Sequence, residues 1–451
     1  MTRQYFGTDG IRGRANVFPM TADMALKVAM ATACVLRAHQ GSEQQNRVVI
    51  GKDTRLSGYM LEQAMSAGFT AMGLEVILVG PIPTPAVAML TRSLRCDLGV
   101  MISASHNPYQ DNGIKIFGAD GYKLADEVEL EIEKMLDEDN FGPHLPPADK
   151  IGQAKRLDDA TGRYVEYLKS AIPRARNLQG LKVVVDCAHG AAYKAAPELL
   201  WELEADVHII GNKPNGKNIN AGFGATATEA LQKEVVETGA DIGIALDGDA
   251  DRLIVVDEKG TRIDGDQIMG LLALTGKHEG WLKGDCLVAT VMSNLGLERT
   301  LAANDIHMKR TPVGDRYVVE AMREGGYNLG GEQSGHTVLS DFSTTGDGLL
   351  TALMVLLLVA EKGEPASKTL RVFEPLPQIL KNVRFQGGKP LEAASVKDVI
   401  SSAEQSLNGS GRILVRASGT EPVIRVMVEG DNQAQIENVA NEICQAIEKA
   451  G

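Results

Sequence analysis

Asp247, Asp249 and Asp251 are the residues whose spacing most directly indicates chemistry. The three carboxylates alternate between two apolar runs that have the pattern of strands. Carboxylates this close repel one another unless a cation lies among them. Because carboxylate oxygens suit a hard ion such as Mg²⁺, the spacing predicts a magnesium site where a strand ends.

A calcium-binding EF-hand loop is one alternative for these aspartates, since such a loop also begins D-x-D-x-D and Glu258 falls at its twelfth position. The sixth position, however, is Arg252 where the loop requires glycine, and the flanks read as strands where an EF-hand has helices. A solvated acidic turn is the second alternative. The neighbouring Arg252 and the position of the loop within a repeat disfavour it.

Ser105 is a candidate nucleophile, in a loop with His106, Asn107 and Pro108 that we expect to be exposed. A serine reacts when a base activates it or when it carries a transferable group. Ser105 and His106 are sequence neighbours whose side chains need not meet, and the chain has no G-x-S-x-G motif, which disfavours an acyl-transfer triad. An ordinary turn is the remaining alternative.

Residues 331–336 have a composition suited to binding a sugar. Glu332, Ser334 and His336 lie among glycines and offer acceptors and donors for the hydroxyls of a polyol. His336 taken singly is also typical of a structural histidine.

Residues 416–422 resemble a phosphate cradle. Arg416 supplies a forked donor, Ser418 and Thr420 supply hydroxyls, and Gly419 permits close approach of the backbone. Since the chain contains neither a Walker pattern nor a protein-kinase signature, this loop indicates recognition of phosphate without a nucleotide.

A threefold repeat of strands and helices must position these loops. The first strands of the three blocks are predicted at 47–53, 182–188 and 286–292, and the second strands at 75–79, 206–210 and 306–310. The third strands, 96–102, 240–246 and 326–330, each precede one of the loops that contain Ser105, Asp247 and Glu332. Strands that alternate with helices indicate α/β units, in which function gathers at strand ends.

The chain from about residue 375 has a different pattern, typical of a small α+β domain. We predict strands at 379–385, 412–416 and 423–429, and helices at 391–407 and 433–447. The whole chain is therefore predicted to be α/β, with three similar domains of mixed sheets and a smaller C-terminal α+β domain. The predicted boundaries are 1–155, 156–258, 259–370 and 371–451.

Charge and composition exclude several classes of protein. A net charge of −13 argues against a nucleic-acid partner. The five cysteines form no C-x-x-C pair, which favours reduced thiols and argues against a zinc site. The longest apolar run, 349–360, is too short to span a membrane and reads as a buried helix, and no signal peptide is expected. We therefore expect a soluble cytoplasmic protein without a membrane partner.

In this order along the whole chain, the motifs resemble those of the α-D-phosphohexomutases. Residues 103–108 resemble that family's phosphoserine loop, 247–252 its metal loop, 331–336 its sugar loop and 416–422 its phosphate loop. With 6–13, the sugar loop is most similar to the bacterial branch that acts on glucosamine phosphate. The resemblance implies domains arranged around a central cleft.

The resemblance also implies a role for each matching residue. Ser105 would be the phosphoserine and, with Asp247, Asp249 and Asp251, would bind one Mg²⁺ per chain. Charge stabilisation and proton transfer would fall to Arg12, Lys115, Arg252 and His336. Contacts to the sugar and its phosphate would come from Glu332, Ser334, Arg416, Ser418, Gly419, Thr420 and Arg425.

The implied reaction interconverts glucosamine 6-phosphate and glucosamine 1-phosphate through a bound 1,6-bisphosphate, for the synthesis of amino-sugar nucleotides and cell-wall precursors. Glucosamine or glucose 1,6-bisphosphate would act as activator, and a homodimer is compatible with the resemblance. Two alternatives stay open at this point. The same mechanism could serve glucose or mannose phosphates, or the protein could bind phosphosugars without catalysis, which Ser105 beside a complete metal triad disfavours.

Overall fold

The computed structural model describes residues 3–39, 46–385, 387–417 and 423–450. Its first sheet has seven strands in the order β1-β2-β6-β5-β3-β4-β7. Its strands are β1 (Phe6–Gly7), β2 (Gly10–Arg14), β3 (Arg47–Lys52), β4 (Glu75–Pro81), β5 (Leu98–Ile102), β6 (Asp111–Gly118) and β7 (Ala154–Arg156). The helices of this part are α1 (Ala22–His39), α2 (Ser57–Ala71), α3 (Thr84–Ser93) and α4 (Asp126–Glu138).

The second sheet has the order β12-β11-β10-β8-β9. Its strands are β8 (Lys182–Asp186), β9 (Asp206–Ile210), β10 (Ile242–Leu246), β11 (Leu253–Asp257) and β12 (Arg262–Ile263), accompanied by α5 (Ala160–Ser170), α6 (Ala195–Glu202) and α7 (Glu229–Thr238).

The third sheet has the order β14-β13-β15-β16. Its strands are β13 (Cys286–Thr290), β14 (His307–Thr311), β15 (Leu329–Gly331) and β16 (Thr337–Leu339), with helices α8 (Gly265–Glu279), α9 (Leu295–Ala302), α10 (Asp315–Gly325), α11 (Gly348–Lys362) and α12 (Ala366–Thr369).

The three sheets repeat one topology, as the sequence pattern predicts. In each, the first strand of the block lies between the second and the third, all three are parallel, and a further strand returns antiparallel beside the third. Parallel neighbours need a helical crossover, whereas the returning strand needs a short loop. The loops that contain Ser105, Asp247 and Glu332 are these connections, so equivalent positions of the three units contain the candidate chemistry.

The C-terminal part forms a smaller antiparallel sheet of order β17-β19-β18, which confirms the predicted fold class. Its elements are β17 (Gln378–Arg384), α13 (Ala394–Leu407), β18 (Gly411–Ala417), β19 (Val423–Gly430) and α14 (Gln433–Ala450). The third strand of the third block begins later than predicted, because Gly326, at φ 67°, caps α10. The domain boundaries stay predictions.

The apolar run predicted as a buried helix is α11, whose residues pack against the second and third sheets. Asp347 caps its first turn by accepting a hydrogen bond of 2.9 Å from Leu350 N–H. In the described ranges, no helix combines the length and apolar character needed to cross a membrane. Because Gly348 N–H donates to the Ala250 carbonyl at 3.0 Å, this helix also supports the aspartate loop.

Candidate active site

The three loops at the strand ends meet one another. Ser105 from the first unit hydrogen-bonds to Asp247 from the second, with 2.6 Å between Oγ and Oδ2. Arg252 pairs with His336 of the third unit in an isolated antiparallel bridge. Residues more than 200 positions apart in the chain, Ser105 and His336, are thereby brought to one site through the aspartate loop.

Ser105 is buried, with 1% of its surface exposed, so the expectation of an exposed serine is wrong. The aspartate loop covers it: a Cβ on Gly248 would lie 2.5 Å from the Ser105 carbonyl oxygen, which makes glycine necessary there. Ser105 has a left-handed backbone, at φ 51°. This conformation is strained for a residue with a side chain, and such strain is often found at functional sites.

His106 does meet its neighbour, since Nδ1 lies 3.2 Å from the Ser105 Oγ. Burial, followed by the positive charges of Arg252 and Arg12, lowers the pKa of His106 to about 4. The ring is therefore neutral near pH 7. The Ser105 hydroxyl donates its hydrogen bond to Asp247.

Arg55 stabilises the serine loop by hydrogen-bonding to its backbone, a role that was not predicted from the sequence. Its buried guanidinium donates to the carbonyls of Ser105 at 2.8 Å, Asn107 at 2.9 Å and Asp111 at 3.0 Å, and also to the Pro108 carbonyl. Its Nε pairs with Asp53 Oδ2 at 2.7 Å. The available signal was charged residues directly after the apolar strand β3, which is parallel to β5 and therefore ends at the same edge of the sheet as the strand before the serine loop.

The three aspartates converge as predicted, with ligand oxygens within 4.8 Å of one another. At most 4% of the surface of each is exposed. Burial, and then the charges of Asp251 and Asp249, raise the pKa of Asp247 well above its ordinary value. Ionisation of all three carboxyl groups is therefore unfavourable unless a cation compensates their charge.

These carboxylates fit a magnesium ion. Among the described residues, Oδ1 of Asp249 and Oδ1 of Asp251 are buried and accept no hydrogen bond. Buried carboxylate oxygens left unpaired are unfavourable unless a cation binds them. Two free oxygens and the Asp247 carboxylate offer the kind of oxygen set that Mg²⁺ uses.

Lys115 balances part of this charge. Its Nζ lies 2.9 Å from Asp249 Oδ2, 3.3 Å from Asp251 Oδ2 and 3.1 Å from Asp9 Oδ2. Burial opposes protonation of this amine, but Asp249, Asp9 and Asp251 outweigh it and raise the pKa of Lys115 well above the ordinary value. Lys115 is therefore a cation at the site.

Arg252 and His336 also lie beside Asp251. Arg252 Nε is 3.9 Å from Asp251 Oδ1, and His336 Nδ1 is 3.7 Å from Asp251 Oδ2. Gly346 N–H donates to His336 Nε2 at 3.1 Å, so the neutral ring holds its proton on Nδ1. Both side chains follow the strand ends that the sequence pattern singled out.

Glu332 and Ser334 occupy the connection between β15 and β16. Glu332 accepts a hydrogen bond of 3.1 Å from Gly314 N–H and one of 3.2 Å from Ser334 Oγ. Ser334 is exposed. The two side chains therefore present polar atoms at the surface of the same loop that positions His336.

Arg12, on β2, contacts Asp9 through its guanidinium, and Asp9 in turn faces Lys115. About a quarter of its side chain is exposed, at 28%. Arg12 thus joins the cluster through Asp9, which the sequence analysis did not single out.

Arg416 and Arg425 are directly opposite each other on β18 and β19. Like charges in this position destabilise a sheet, and no carboxylate of the described residues lies within ion-pair distance of either. Burial, and then the charge of Arg425, lower the pKa of Arg416. This pair is suited to an anion. The predicted Ser418, Gly419 and Thr420 lie outside the described residues.

Comparison with protein-family models gives four consecutive matches. Models described as phosphoglucomutase/phosphomannomutase α/β/α domains I, II and III match residues 3–142, 162–260 and 264–376. The model of the C-terminal domain of the same family matches residues 380–446.

Among curated relatives, a phosphoglucosamine mutase of Rhizobium etli is 60% identical over 443 residues, which is 98% of both chains. A phosphoglucomutase/phosphomannomutase family protein from Burkholderia thailandensis has the same fold, with a TM-score of 0.82 at 24% identity over 100% of this chain and 98% of that one. An Aspergillus fumigatus N-acetylphosphoglucosamine mutase, solved with GlcNAc-6P and magnesium, has a TM-score of 0.68 at 19% identity, over 100% and 96% of the two chains.

Proposed function

Because the chain belongs to the phosphoglucomutase/phosphomannomutase family, we propose that it interconverts glucosamine 6-phosphate and glucosamine 1-phosphate. The substrate is supported by the 60% identity to a phosphoglucosamine mutase over 98% of the chain. One observation supports the proposed chemistry: Ser105 Oγ lies 2.6 Å from Oδ2 of Asp247, the first of three buried aspartates. A hydroxyl in this position can hold a phosphoryl group against a metal.

In the first half of the reaction, phosphorylated Ser105 transfers its phosphoryl group to the 1-hydroxyl of glucosamine 6-phosphate. The bond from phosphorus to Oγ breaks, a bond to the sugar oxygen forms, and the sugar hydroxyl releases its proton. The bound product is a 1,6-bisphosphate. After this intermediate turns, its 6-phosphoryl group passes to Ser105 and glucosamine 1-phosphate leaves.

Asp247, Asp249 and Asp251, together with an oxygen of phosphorylated Ser105, would hold one Mg²⁺ per chain. When bound, that ion supplies positive charge that stabilises the phosphoryl group during transfer. The magnesium in the Aspergillus fumigatus structure supports the choice of ion.

The cations around the triad orient and neutralise the transferring group. Lys115 and Arg252 lie beside the aspartates and Arg12 contacts Asp9, yet none of the three donates a hydrogen bond to Oδ1 of Asp249 or of Asp251. Because Lys115 is already a cation, the neutral form of His336 accepts the proton of the attacking hydroxyl. Positioning and electrostatics of this kind account for most of the catalysis of phosphoryl transfer.

Recognition of the substrate is divided between two sheets. Glu332 and Ser334 bind sugar hydroxyls, while Arg416 and Arg425 bind the phosphate that is not reacting. We extend this phosphate site to Ser418, Gly419 and Thr420 on the sequence pattern alone. A site that recognises phosphate and little else can hold the intermediate in either orientation.

A soluble bisphosphate completes the cycle. Glucosamine 1,6-bisphosphate, or glucose 1,6-bisphosphate in its place, would phosphorylate Ser105 again whenever the intermediate escapes. We place the enzyme in the cytoplasm, where precursors of amino-sugar nucleotides are made, and a homodimer stays a prediction that sedimentation velocity tests.

A mutase assay with a panel of substrates tests the proposed function. Phosphates of glucosamine, N-acetylglucosamine, glucose and mannose would be compared in the presence of Mg²⁺ and glucose 1,6-bisphosphate. We expect the highest kcat/KM with glucosamine phosphate and weaker turnover of glucose phosphate, because a hydroxyl can replace the amine as a hydrogen-bonding group. Preference for glucose or mannose phosphate would contradict the substrate, and no turnover at all would contradict the reaction.

A further inference from the structure

Lys123 joins the first and third units through two carboxylates. It follows β6, and its Nζ contacts Asp9 Oδ1 and lies 2.5 Å from Asp315 Oδ2. The side chains of Lys123 and Asp315 are each 13% exposed. Asp9 lies between β1 and β2, whereas Asp315 is the first residue of α10, 192 positions after Lys123.

Each carboxylate also faces a proposed catalytic group. Asp9 contacts Arg12 and lies 3.1 Å from Lys115 Nζ. Asp315 Oδ2 lies 3.6 Å from His336 Nε2. Lys123 therefore links Asp9, which contacts Lys115 of the first unit, to Asp315, which contacts His336 of the third unit.

These contacts close into a ring, because Asp251 faces both Lys115, at 3.3 Å, and His336, at 3.7 Å. The ring alternates acidic and basic side chains from all three units: Asp251, Lys115, Asp9, Lys123, Asp315 and His336. A second ion pair lies beside it, since Arg316 Nη2 is 2.6 Å from Glu129 Oε1 of α4.

We propose that Lys123 is a positioning residue, which sets the separation of Lys115 and His336 by holding Asp9 and Asp315 together. This inference rests on the proposed mutase function. Lys123 contacts neither a proposed metal ligand nor a proposed catalytic group, and acts through the two carboxylates. Misplacement of reacting groups by about 1 Å can slow an enzyme about a hundredfold, so this ion-pair bridge has a direct catalytic consequence.

Lys123→Met tests the inference because it keeps the length of the side chain and removes its charge. We expect kcat for glucosamine 6-phosphate to fall about a hundredfold, with KM changed less than about threefold because Lys123 holds no substrate group. Lys123→Arg should recover most of kcat. Lys134→Met, an exposed lysine on α4, is the matched control and should resemble the wild type.

A merely structural lysine would give a different pattern. Wild-type kcat in Lys123→Met would overturn the inference, as would a loss that Lys123→Arg does not restore. If Lys123→Met does not fold, Asp315→Asn offers the same test from the other side of the ion pair, with the same expected division between kcat and KM.

Hydrogen exchange separates this inference from the proposed function. Without the Lys123 charge, amides at the start of α10 should exchange faster than in Lys134→Met, whatever sugar the enzyme uses. Unchanged exchange there would contradict the bridge. Failure of the wild-type enzyme to turn over glucosamine phosphate would instead contradict the substrate, while the exchange difference persisted.

Discussion

Ser105 donates a hydrogen bond of 2.6 Å from its Oγ to Oδ2 of Asp247, and so links the serine loop of the first unit to the aspartate loop of the second. The two residues are 142 positions apart. Their contact places a candidate phosphoryl carrier directly beside a candidate metal ligand.

Replacing Ser105 by alanine should reduce mutase activity by about three orders of magnitude or more, since no other group can carry the phosphoryl. Because the Ser105 side chain is buried and donates a hydrogen bond, we also expect a loss of about 1 kcal/mol in the free energy of unfolding. Activity and urea unfolding measure the two effects. Peptide mass spectrometry should find a phosphoryl group on Ser105 of the wild type. Near-normal turnover by Ser105→Ala would refute the phosphoserine mechanism.

Removing metal should abolish activity, and added Mg²⁺ should restore it. Mg²⁺ should also raise Tm, because a ligand that binds the native state stabilises it by about 2.7 kcal/mol at a hundredfold excess over Kd. Asp249→Asn removes a carboxylate that has a free oxygen and should shrink this rise. Asp206→Asn, at an exposed position of the same unit, should not. Full activity in excess chelator would mean that the triad has a structural role.

Arg55→Lys should lower the free energy of unfolding and slow the phosphorylation of Ser105. The lysine cannot replace the donors to four carbonyls, and leaving a buried acceptor without its donor costs about 1–3 kcal/mol. Urea unfolding measures the first effect, and the rate of Ser105 phosphorylation by glucose 1,6-bisphosphate the second. Arg163→Lys, at an exposed ion pair, is the control. Wild-type stability would show that Arg55 does not hold the loop.

Arg425→Gln should weaken binding of the phosphosugar more than it slows the chemical step. Loss of a charge-assisted hydrogen bond of about 1.5–3 kcal/mol corresponds to a rise in KM of about ten- to a hundredfold. Repulsion between Arg416 and Arg425 should fall at the same time, so the variant without phosphate should be slightly more stable. Arg384→Gln, at an exposed position of the same sheet, is the control. Unchanged KM would place the phosphate site elsewhere.

Much of the candidate site could be predicted from the sequence because its motifs are local. Asp247, Asp249 and Asp251 alternate within one short loop, and the strands before the loops are short apolar runs buried along their whole length, as expected for a sheet covered on both faces. The order of these motifs was enough to identify a family resemblance. Arg416 was assigned by the composition of its loop and Arg425 by that resemblance, and their opposition on neighbouring strands became evident in the structure.

Local patterns are sufficient to specify the repeated units, the loops that contain the chemistry and the residue types available there. Which of those residues meet depends on how the units pack against one another. Burial of Ser105 depends on Gly248 of another unit. Arg55 acts through backbone carbonyls, which have no sequence signature. Lys123 contacts Asp315, which lies 192 positions later in the chain. Strand and loop patterns follow from interactions between near neighbours, whereas these contacts form only when separate units pack together, so no local pattern records them.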